Sequence, residues 1–369
     1  MKFTCLQENI LKGLNIARQS SSRSTTLPVL QTFLLQGKQG SLTISSTNLE
    51  IGIRVHIRGK EDSEGAICIP QDTLLTYIRN LPQDKLNLNV ENDELTIEQG
   101  QDIQAKFKGM VAEDFPTLPE IEIENQISIN SNDLKQGLKA VYGSLPKNEF
   151  RPEISGVYLA KKGNQLVFVG TDGFRLSEKK VNLNNLEGDN FSVIIPSKTV
   201  AEIIRILDLI DETEVNIQFG SSQIKLIADT VEIISKLIDG NFPQYEGLIP
   251  QKFSTTFDCD SQELVQAIKL SSVFSQNAVN DVKLQLQDEK SLSVSSADSQ
   301  TGSNKTKLPI HINGDTGLTI TFNYNYLLDG IQLFKEGIIQ FHLNDTDSPV
   351  IIKSDDTPDF YYLIMPIRD

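Results

Sequence analysis

The chain has little of what most enzymes use for catalysis or metal binding. Its 369 residues include no tryptophan, three cysteines, three histidines and three methionines. The histidines, at 56, 311 and 342, are single residues in strand-like segments, and no two cysteines stand at a metal-ligand spacing. No phosphate-binding loop, dinucleotide fingerprint, His-Glu-x-x-His pair or Gly-x-Ser-x-Gly elbow occurs. The sequence therefore predicts no catalytic residue, no metal site and no cofactor.

Two further absences bear on where the protein works. No run of about 18 apolar residues occurs, so no transmembrane helix is predicted. The first residues, Met1-Lys-Phe-Thr-Cys5, lack the apolar stretch of a signal peptide. An odd number of cysteines predicts free thiols, which suit a reducing compartment. We therefore expect a cytoplasmic protein.

What the chain has instead is an internal repeat with a period of about 125 residues. The segment 42–48, which ends in Thr-Asn, returns at 166–172 with Thr-Asp and at 292–298 with Ala-Asp. A strand before a helix start, a second such pair and an Asp/Asn-Phe closing block keep the same order in every repeat. Because domains most often run to roughly 100–150 residues, the sequence predicts three domains, at 1–125, 126–250 and 251–369.

The pattern within one repeat predicts the α+β class. Apolar and polar residues alternate in segments such as 86–90, which is typical of half-buried antiparallel strands. Short helices are predicted twice in each repeat, for example at 73–80 and 197–207. Cys5 and Cys259 take the repeat position of Ile129, so both are predicted to be small buried strand residues.

The charges are unevenly placed. The net charge of −15 argues at first against a nucleic-acid partner. The predicted helices nevertheless carry acids mainly at their starts and bases further in, as with Asp72 before Arg79 and Asp133 before Lys139. Helix-dipole complementarity explains part of this order. A protein with acidic strands and less acidic helices could present its helices to a polyanion.

Five motifs in register together resemble the beta subunits of bacterial DNA polymerase III, the sliding clamps. They are Leu27-Pro-Val-Leu30, Gly170-Thr-Asp-Gly-Phe-Arg-Leu176, Leu237-Ile-Asp-Gly-Asn-Phe-Pro-Gln-Tyr245, Phe322-Asn-Tyr-Asn-Tyr-Leu-Leu-Asp329 and Met365-Pro-Ile-Arg368. The resemblance covers all three repeats. It implies a head-to-tail homodimer that closes into a ring of six similar domains around duplex DNA, with twelve helices lining the hole.

The resemblance also implies which residues face DNA. A clamp must stay on DNA without binding it tightly, because every phosphate contact adds salt-dependent affinity that would oppose sliding. A sparse set of bases with no base-reading constellation suits that task. The residues expected to face DNA are Arg23, Arg79, Lys139, Lys147, Asn148, Arg151, Lys198 and Arg205. This chain departs from the family's pattern at two points in this set. The family's basic residue ahead of the Leu27 motif lies one position earlier here, at Arg23. Pro152 and Glu153 stand where family members often have aromatic residues.

The family's partner site is an apolar cleft between the second and third domains that captures short linear peptides of polymerases and clamp-loader subunits. The residues carried over to it are Ile154, Thr171, Gly173, Phe174, Arg175, Leu176, Pro243, Leu248, Asn323, Tyr326, Pro349, Leu363, Met365, Pro366, Ile367 and Arg368. Their types suit an apolar pocket with a few directing polar groups. Phe174 stands where the family often has histidine. The alternative is that these residues only pack a domain junction.

Closure of the ring is expected at Ala105 and Phe107 on one edge and at Val273 and Phe274, late in a helix, on the other. The function implied is that of a non-enzymatic processivity factor, loaded by an ATP-driven partner. Two alternatives remain at this point. One is an acidic, repeat-built interaction scaffold that does not encircle DNA, and the other is a hydrolase that uses a carboxylate pair in a cleft between domains.

Overall fold

The computed structural model describes residues 1–20, 27–148, 150–183, 190–211, 213–275, 279–288 and 290–368. These residues form two compact units. The first unit is built from described residues within 1–135 and 198–237, and the second from described residues within 136–197 and 238–368. The division passes through the second repeat because its strands are shared between sheets of both units.

The first repeat contains two helices among short strands. Its elements in chain order are β1 Lys2–Leu6, α1 Gln7–Ala17, β2 Thr32–Lys38, β3 Ser41–Thr47, β4 Ile51–Arg58, β5 Lys60–Ser63, β6 Gly65–Pro70, α2 Gln71–Asn80, β7 Lys85–Glu91, β8 Glu94–Gln99 and β9 Ile103–Lys108.

The second and third repeats follow the same order of elements, except that the described residues of the second include no counterpart of β5 and β22. The second has β10 Asn125–Asn130, α3 Ser131–Tyr142, β11 Gly156–Lys162, β12 Gln165–Thr171, β13 Arg175–Asn182, β14 Ser192–Pro196, α4 Ser197–Leu207, β15 Glu214–Phe219, β16 Gln223–Ala228 and β17 Val231–Lys236. The third has β18 Thr255–Asp260, α5 Ser261–Ser272, β19 Asp281–Asp288, β20 Ser291–Asp298, β21 Gly302–Pro309, β22 His311–Asn313, β23 Thr319–Asn323, α6 Tyr324–Ile331, β24 Ile338–Leu343, β25 Val350–Lys353 and β26 Phe360–Ile364. The predicted α+β class is confirmed, as is the strand-then-helix pair that occurs twice in each repeat. The closing block was wrong for the third repeat: Phe115 and Phe242 follow the last strand of their repeats, but Phe360 begins β26.

Each unit contains two antiparallel sheets. In the first unit the sheet orders are β5-β1-β7-β8-β9 and β10-β15-β16-β17-β4-β3-β2-β6. In the second unit they are β14-β11-β12-β13-β26-β25-β24-β18-β22 and β21-β20-β19-β23. The long sheets therefore join strands of successive repeats, through β4 with β17 and through β13 with β26.

The helix boundaries follow from local chemistry. Asp260 caps α5 by accepting hydrogen bonds from two backbone amides, and Asn323 caps α6 in the same way. Helix α2 ends at Asn80 because Leu81 precedes a proline, which disfavours helical backbone. The predicted helix 197–207 is confirmed, and the one predicted at 73–80 begins two residues earlier. One expectation was wrong: α5 ends at Ser272, so Val273 and Phe274 lie just beyond it.

The buried strand positions predicted for Cys5 and Cys259 are confirmed, and both thiols are free. Each histidine lies in a strand, as expected. None of the described helices is long and apolar enough to cross a membrane. Within the described residues no group of three or more His, Cys, Asp or Glu side chains could hold a metal ion.

A charge cluster ties the first and second repeats together and gives a testable pH dependence. Glu232 of β17 faces His56 and Arg54 of β4, and its carboxylate lies 3.0 Å from the Lys225 ammonium on β16. The hydrogen bond from His56, with the Lys225 and Arg54 charges, lowers the pKa of Glu232 from 4.5 to about 2. The ionised carboxylate therefore stabilises the fold.

We expect this stabilisation to be complete above pH 4.5, the ordinary pKa of the carboxyl group, and to be lost as the pH falls towards the folded pKa of about 2. Glu232→Gln should lower the free energy of unfolding by about 2 kcal/mol at pH 7. Urea titrations of both proteins from pH 7 to acid should show this difference shrinking below pH 4.5. A difference that stays constant with pH would contradict the assignment.

Candidate functional site

The Thr-Asp-Gly-Phe-Arg segment forms a tight turn between β12 and β13. The Thr171 hydroxyl donates to the carbonyl of Arg175 at 2.6 Å and accepts from the amide of Gly173 at 3.1 Å. Asp172 Oδ1 accepts from the amides of Phe174 and Arg175 at 3.0 and 3.1 Å. Gly173 has a φ of +89°, which glycine adopts without steric cost. The motif therefore fixes the backbone positions of Phe174 and Arg175, from which their side chains extend.

The first repeat builds the same turn. Thr47 Oγ1 donates to the carbonyl of Ile51, and Asn48 Oδ1 accepts from the amides of Glu50 and Ile51. Leu49 takes the position of Gly173 with a φ of 75°. The repeated Thr-Asn/Asp pair is thus a turn-forming device in both of these repeats. Function at this turn depends on the residues that surround it.

Arg175 is the centre of a buried charge network. Its side chain is 4% exposed; Nε donates to Asp172 Oδ2 at 2.9 Å, and a terminal nitrogen donates to Asp329 Oδ2 at 2.6 Å. The guanidinium lies 4.5 Å from the centre of the Tyr326 ring. Burial alone would lower the pKa of Arg175, but Tyr362 and the two carboxylates raise it overall. Arg175 therefore supports neighbouring groups and presents little surface of its own.

Helix α6 positions the Tyr326 side chain beside this network. Asn323 Oδ1 accepts from the Tyr326 amide at 3.3 Å, and the Tyr362 hydroxyl donates to the Tyr326 carbonyl at 2.7 Å. Gly330 permits the close approach, since a Cβ there would lie 2.2 Å from the Tyr362 ring. The Tyr326 ring stacks on Phe174 with ring centres 6.2 Å apart.

These groups line a cavity of about 620 Å³ in the second unit. Five of the residues predicted to contact a peptide line it: Ile154, Phe174, Arg175, Asn323 and Tyr326. Three residues predicted to face DNA line the same cavity: Lys147, Asn148 and Arg151. The structure thus brings together two groups that the sequence assigned to different tasks. Phe174 is 61% exposed, so its ring forms an open wall.

A second apolar cluster, on the 9-stranded sheet, holds other predicted peptide contacts. Leu176 and Leu363 are buried in it, and Met365 packs against it partly buried. The Met365 amide donates to the carbonyl of Phe174 at 2.8 Å, so the chain after β26 runs beside the turn. Leu248 is 60% exposed in a 3-10 turn that follows the buried Tyr245.

The remaining predicted peptide contacts do not line the cavity. Thr171 and Gly173 build the turn itself. Those placed elsewhere in the second unit are Pro243, Pro349, Pro366, Ile367 and Arg368. Ile367 is fixed by its amide, which donates to the carbonyl of Thr321 at 2.8 Å.

The predicted DNA-facing cations outside the cavity lie on exposed helix positions. Arg79 is in the last turn of α2, Lys139 is in α3, and Lys198 and Arg205 are in α4. All four are exposed, and Arg205 pairs with Glu202 at 2.6 Å. Arg23 lies outside the described residues.

Among the described strands, two edge strands, β9 and β21, lack a neighbour that their counterparts in the other repeats have. In the first unit β9 ends its sheet, and in the second unit β21 does; neither has a second neighbour among the described strands. Their counterparts in the other repeats are paired, since β17 corresponds to β9 and β13 corresponds to β21. In both existing joins the residue that pairs with Ser46 or Gly170 within its own repeat faces the equivalent point of the next repeat. Ile53, the partner of Ser46, lies opposite Ile233, and Ser177, the partner of Gly170, lies opposite Tyr362.

The residues predicted to close a ring lie at these edges. Phe107 of β9 is 8% exposed, and its ring meets the Tyr77 ring edge-on at 5.3 Å. Ala105 is two residues earlier, on the same side of β9. A Cβ on Gly302, at the start of β21, would lie 3.4 Å from the Phe274 ring. Val273 is 56% exposed.

Three of the site residues that the sequence did not predict are prominent in its geometry. Asp329 and Tyr362 hold Arg175, and Phe150 lines the cavity. Only Phe150 carried a usable signal, as an aromatic residue one position before the predicted Arg151.

Comparison with known protein families covers nearly the whole chain. A family model of the DNA polymerase III beta subunit, N-terminal domain, matches residues 1–119. Models of the central and C-terminal domains of the same subunit match residues 128–244 and 246–368. The three matches follow one another in the order of the three repeats.

Individual proteins are similar over their full length. The beta sliding clamp of Haemophilus influenzae is 29% identical over 370 residues and is covered completely, as is this chain. The crystal structure of the DNA polymerase III subunit beta from Pseudomonas aeruginosa is 28% identical, with a TM-score of 0.95 and 100% of both chains covered. A structure of the sliding clamp of that organism bound to griselimycin gives a TM-score of 0.94 at 28% identity, again with 100% of both chains covered.

Proposed function

We propose a mode of action for this chain from one premise: it belongs to the DNA polymerase III beta subunit family, the bacterial sliding clamps. The chain is accordingly a non-catalytic subunit of a DNA polymerase, of a family that encircles DNA and binds the polymerase. The interaction scaffold and the hydrolase are set aside on this ground. The assembly, the contact residues and the partners are proposed below.

The ring is proposed to close by pairing β9 of one copy with β21 of the next. Both existing joins use one register. In the third repeat Ser296 is the equivalent of Ser46 and Gly170, and it pairs with Asn304. In the first repeat Ala105 is the equivalent of Ile233 and Tyr362, so the same register places Ala105 opposite Asn304. Phe107 then faces Gly302, against which Phe274 packs. In this register the less exposed positions of β9 lie opposite the less exposed positions of β21. Antiparallel pairing requires this, because opposite residues point to the same face of a sheet.

The outward positions of the same pairing are complementary in charge. Lys307 of β21 would face Asp102, and Lys305 would face Gln104. Gln104 donates to Glu98 of β8 at 2.8 Å, so Lys305 approaches a carboxylate as well. Opposite charges across a strand pair are favourable and also help to fix register. Because the two edges differ, the contact is heterologous, and it closes into a dimer if each domain turns the chain by about one sixth of a circle.

Three domains per copy, at 1–125, 126–250 and 251–369, would then give six around the ring. The exposed helix cations Arg79, Lys139, Lys198 and Arg205 are proposed to face the duplex, together with Arg23. Their small number suits sliding, since each phosphate contact adds affinity that salt weakens. We place the ring in the cytoplasm, where an ATP-driven loader would open it.

The cavity of the second unit is proposed to bind short apolar peptides of polymerases and of clamp-loader subunits. Its aromatic walls, Phe174 and Tyr326, and the neighbouring Leu363 and Met365 supply apolar surface, and Asn323 supplies a polar group. The observation that supports this most strongly is Phe174, whose ring is 61% exposed although it stacks on Tyr326. Affinity of about micromolar strength, near −8 kcal/mol, would suffice because tethering by the ring raises the local concentration.

Phe174→Ala should weaken the binding of an apolar peptide from the replicative polymerase about tenfold, because the substitution removes an aromatic wall at no cost to the core. Fluorescence polarisation with the labelled peptide measures the effect, and griselimycin serves as a competitor. Tyr142→Ala, which truncates an exposed aromatic residue outside the cavity, is the matched control. Equal affinities for wild type and Phe174→Ala would exclude this cavity as the peptide site.

A further inference from the structure

The linker that joins β17 to β18, residues 239–253, has little regular structure: a short 3-10 turn at Glu246–Leu248. Within the described chain its backbone–backbone hydrogen bonds are local, such as the one from the Leu248 amide to the carbonyl of Tyr245 at 2.9 Å. Leu248 is a predicted peptide contact, and its side chain is 60% exposed. Side-chain contacts must therefore hold the linker, and with it Leu248, in place.

Tyr245 anchors this linker through a buried hydrogen bond. Tyr245 is 3% exposed, and its hydroxyl donates to Glu178 Oε2. Glu178 lies on β13, is 4% exposed and also pairs with Lys180 at 3.3 Å. Burial and the Glu178 carboxylate raise the pKa of Tyr245, so the hydroxyl keeps the proton that it donates. A hydrogen bond to a carboxylate is stronger than one between neutral groups.

Ring contacts and an outer ion pair lie around the same anchor. Phe242 stacks on Tyr158 of β11 with ring centres 4.7 Å apart, and it meets the Tyr245 ring edge-on at 6.2 Å. Glu246 pairs with Lys162 at 2.6 Å, but these side chains are 55% and 44% exposed. An exposed ion pair contributes little. The buried hydrogen bond is therefore the polar contact of the linker that water can least replace.

The first repeat holds its own linker from the same strand position. Arg54 of β4 is the counterpart of Glu178, since each lies six positions after the Asn or Asp of the repeated turn. Arg54 donates to the carbonyl of Leu118 at 3.1 Å, and Leu118 is the counterpart of Tyr245 in the Phe-Pro block. The two repeats thus use different side chains for one contact. This recurrence indicates that the contact serves to hold the linker.

We propose that Tyr245 and Glu178 are positioning residues of the peptide site. Their hydrogen bond fixes the start of the 3-10 turn, and the turn presents the Leu248 side chain to an apolar residue of the bound peptide. Both residues are too buried to offer surface to a ligand, so they act through Leu248. This inference rests on the proposed peptide binding and adds two residues that act without touching the peptide.

The test measures binding of the labelled polymerase peptide to single and double variants by fluorescence polarisation. Tyr245→Phe should weaken binding about fivefold, the factor expected for one hydrogen bond. Leu248→Ala should weaken binding to the wild type but have little further effect in Tyr245→Phe, because the leucine is already displaced there. Glu178→Gln should keep nearly the wild-type affinity, since its amide oxygen can still accept from the Tyr245 hydroxyl.

Tyr361→Phe is the matched control. It removes a tyrosine hydroxyl opposite Glu178, but from β26 and not from the linker, and it should leave the affinity unchanged.

A second measurement needs no peptide. Hydrogen exchange of the Leu248 and Ile249 amides, which are bonded within the turn, should be about fivefold faster in Tyr245→Phe than in the wild type. Exchange in β2, in the first unit, should stay unchanged. This difference separates local release of the linker from general destabilisation.

The outcomes separate the two proposals. If the peptide does not bind the wild type, the proposed peptide site fails, and this inference fails with it. Suppose instead that the wild type binds, and that Leu248→Ala changes the affinity by the same factor in the wild type and in Tyr245→Phe. Only the positioning role is then overturned. Unchanged exchange of the linker amides in Tyr245→Phe would overturn it as well.

Discussion

Ala105→Cys combined with Asn304→Cys will produce, on mild oxidation, a covalent species of about 82 kDa, twice the 41.1 kDa chain. The reason is the shared register of the two existing joins, which places these residues directly opposite each other across the contact between copies. Opposite residues of antiparallel strands lie about 4.5–5.5 Å apart, within the range a disulfide spans. Cys5, Cys68 and Cys259 are buried and should not compete. Denaturing electrophoresis without reductant measures the yield.

The matched control is Ala105→Cys with Lys305→Cys. Lys305 is adjacent to Asn304 but points to the other side of the strand, so the disulfide should form poorly. Efficient cross-linking of this control, with none in the first pair, would show that the register between copies differs from that within the chain. Phe274→Ala should also raise the dimer dissociation constant, since the ring packs on Gly302 at the same contact.

Arg175→Ala should lower the free energy of unfolding by about 3–5 kcal/mol, because it leaves a buried carboxylate without its partner. Arg175 is 4% exposed and Asp172 only 10% exposed, so water can replace little of the lost interaction. The same variant should also weaken peptide binding, since Arg175 supports the Tyr326 ring. Urea denaturation followed by circular dichroism measures the first effect.

Arg151→Ala is the comparison for this prediction. Arg151 is exposed, and its one ion-pair partner among the described residues is Glu153 at the surface, so its loss should change stability by no more than about 1 kcal/mol. Asp172→Asn should lower the free energy of unfolding by less in the Arg175→Ala background than in the wild type. In that background the Asp172 carboxylate has already lost its partner. An equal loss of unfolding free energy in the wild type and in Arg175→Ala would show that Asp172 and Arg175 do not interact.

The repeat made much of the fold predictable from the sequence. Helix α4 was predicted with its observed bounds because Pro196 and the apolar spacing after it define its start and length. Helix α2 begins earlier than predicted because the side chain of Gln71 is buried and donates to the carbonyl of Thr32, a contact 39 positions away. The sequence pattern near Val273 shows two apolar residues but does not show that the helix ends before them.

The site was less predictable, for a related reason. Arg175 was expected to contact a ligand. It lines the cavity, but its side chain is largely buried and pairs with Asp329, which lies 154 positions along the chain. Lys147 and Phe174 share a cavity although the sequence placed them in different tasks. Such contacts depend on packing between segments that are distant in the chain, and local sequence patterns do not encode them. The turn at Asp172, which depends only on neighbouring residues, was recognisable from its motif.

The mass of the protein in solution tests the closed ring most directly. Size exclusion with light scattering across a concentration series should give about 82 kDa, twice the 41.1 kDa chain, down to low concentration. This value would support a two-copy ring and justify measuring its retention on nicked circular DNA. A species of 41.1 kDa that persists at about micromolar concentration would contradict a stable ring, although the fold of each copy would stand.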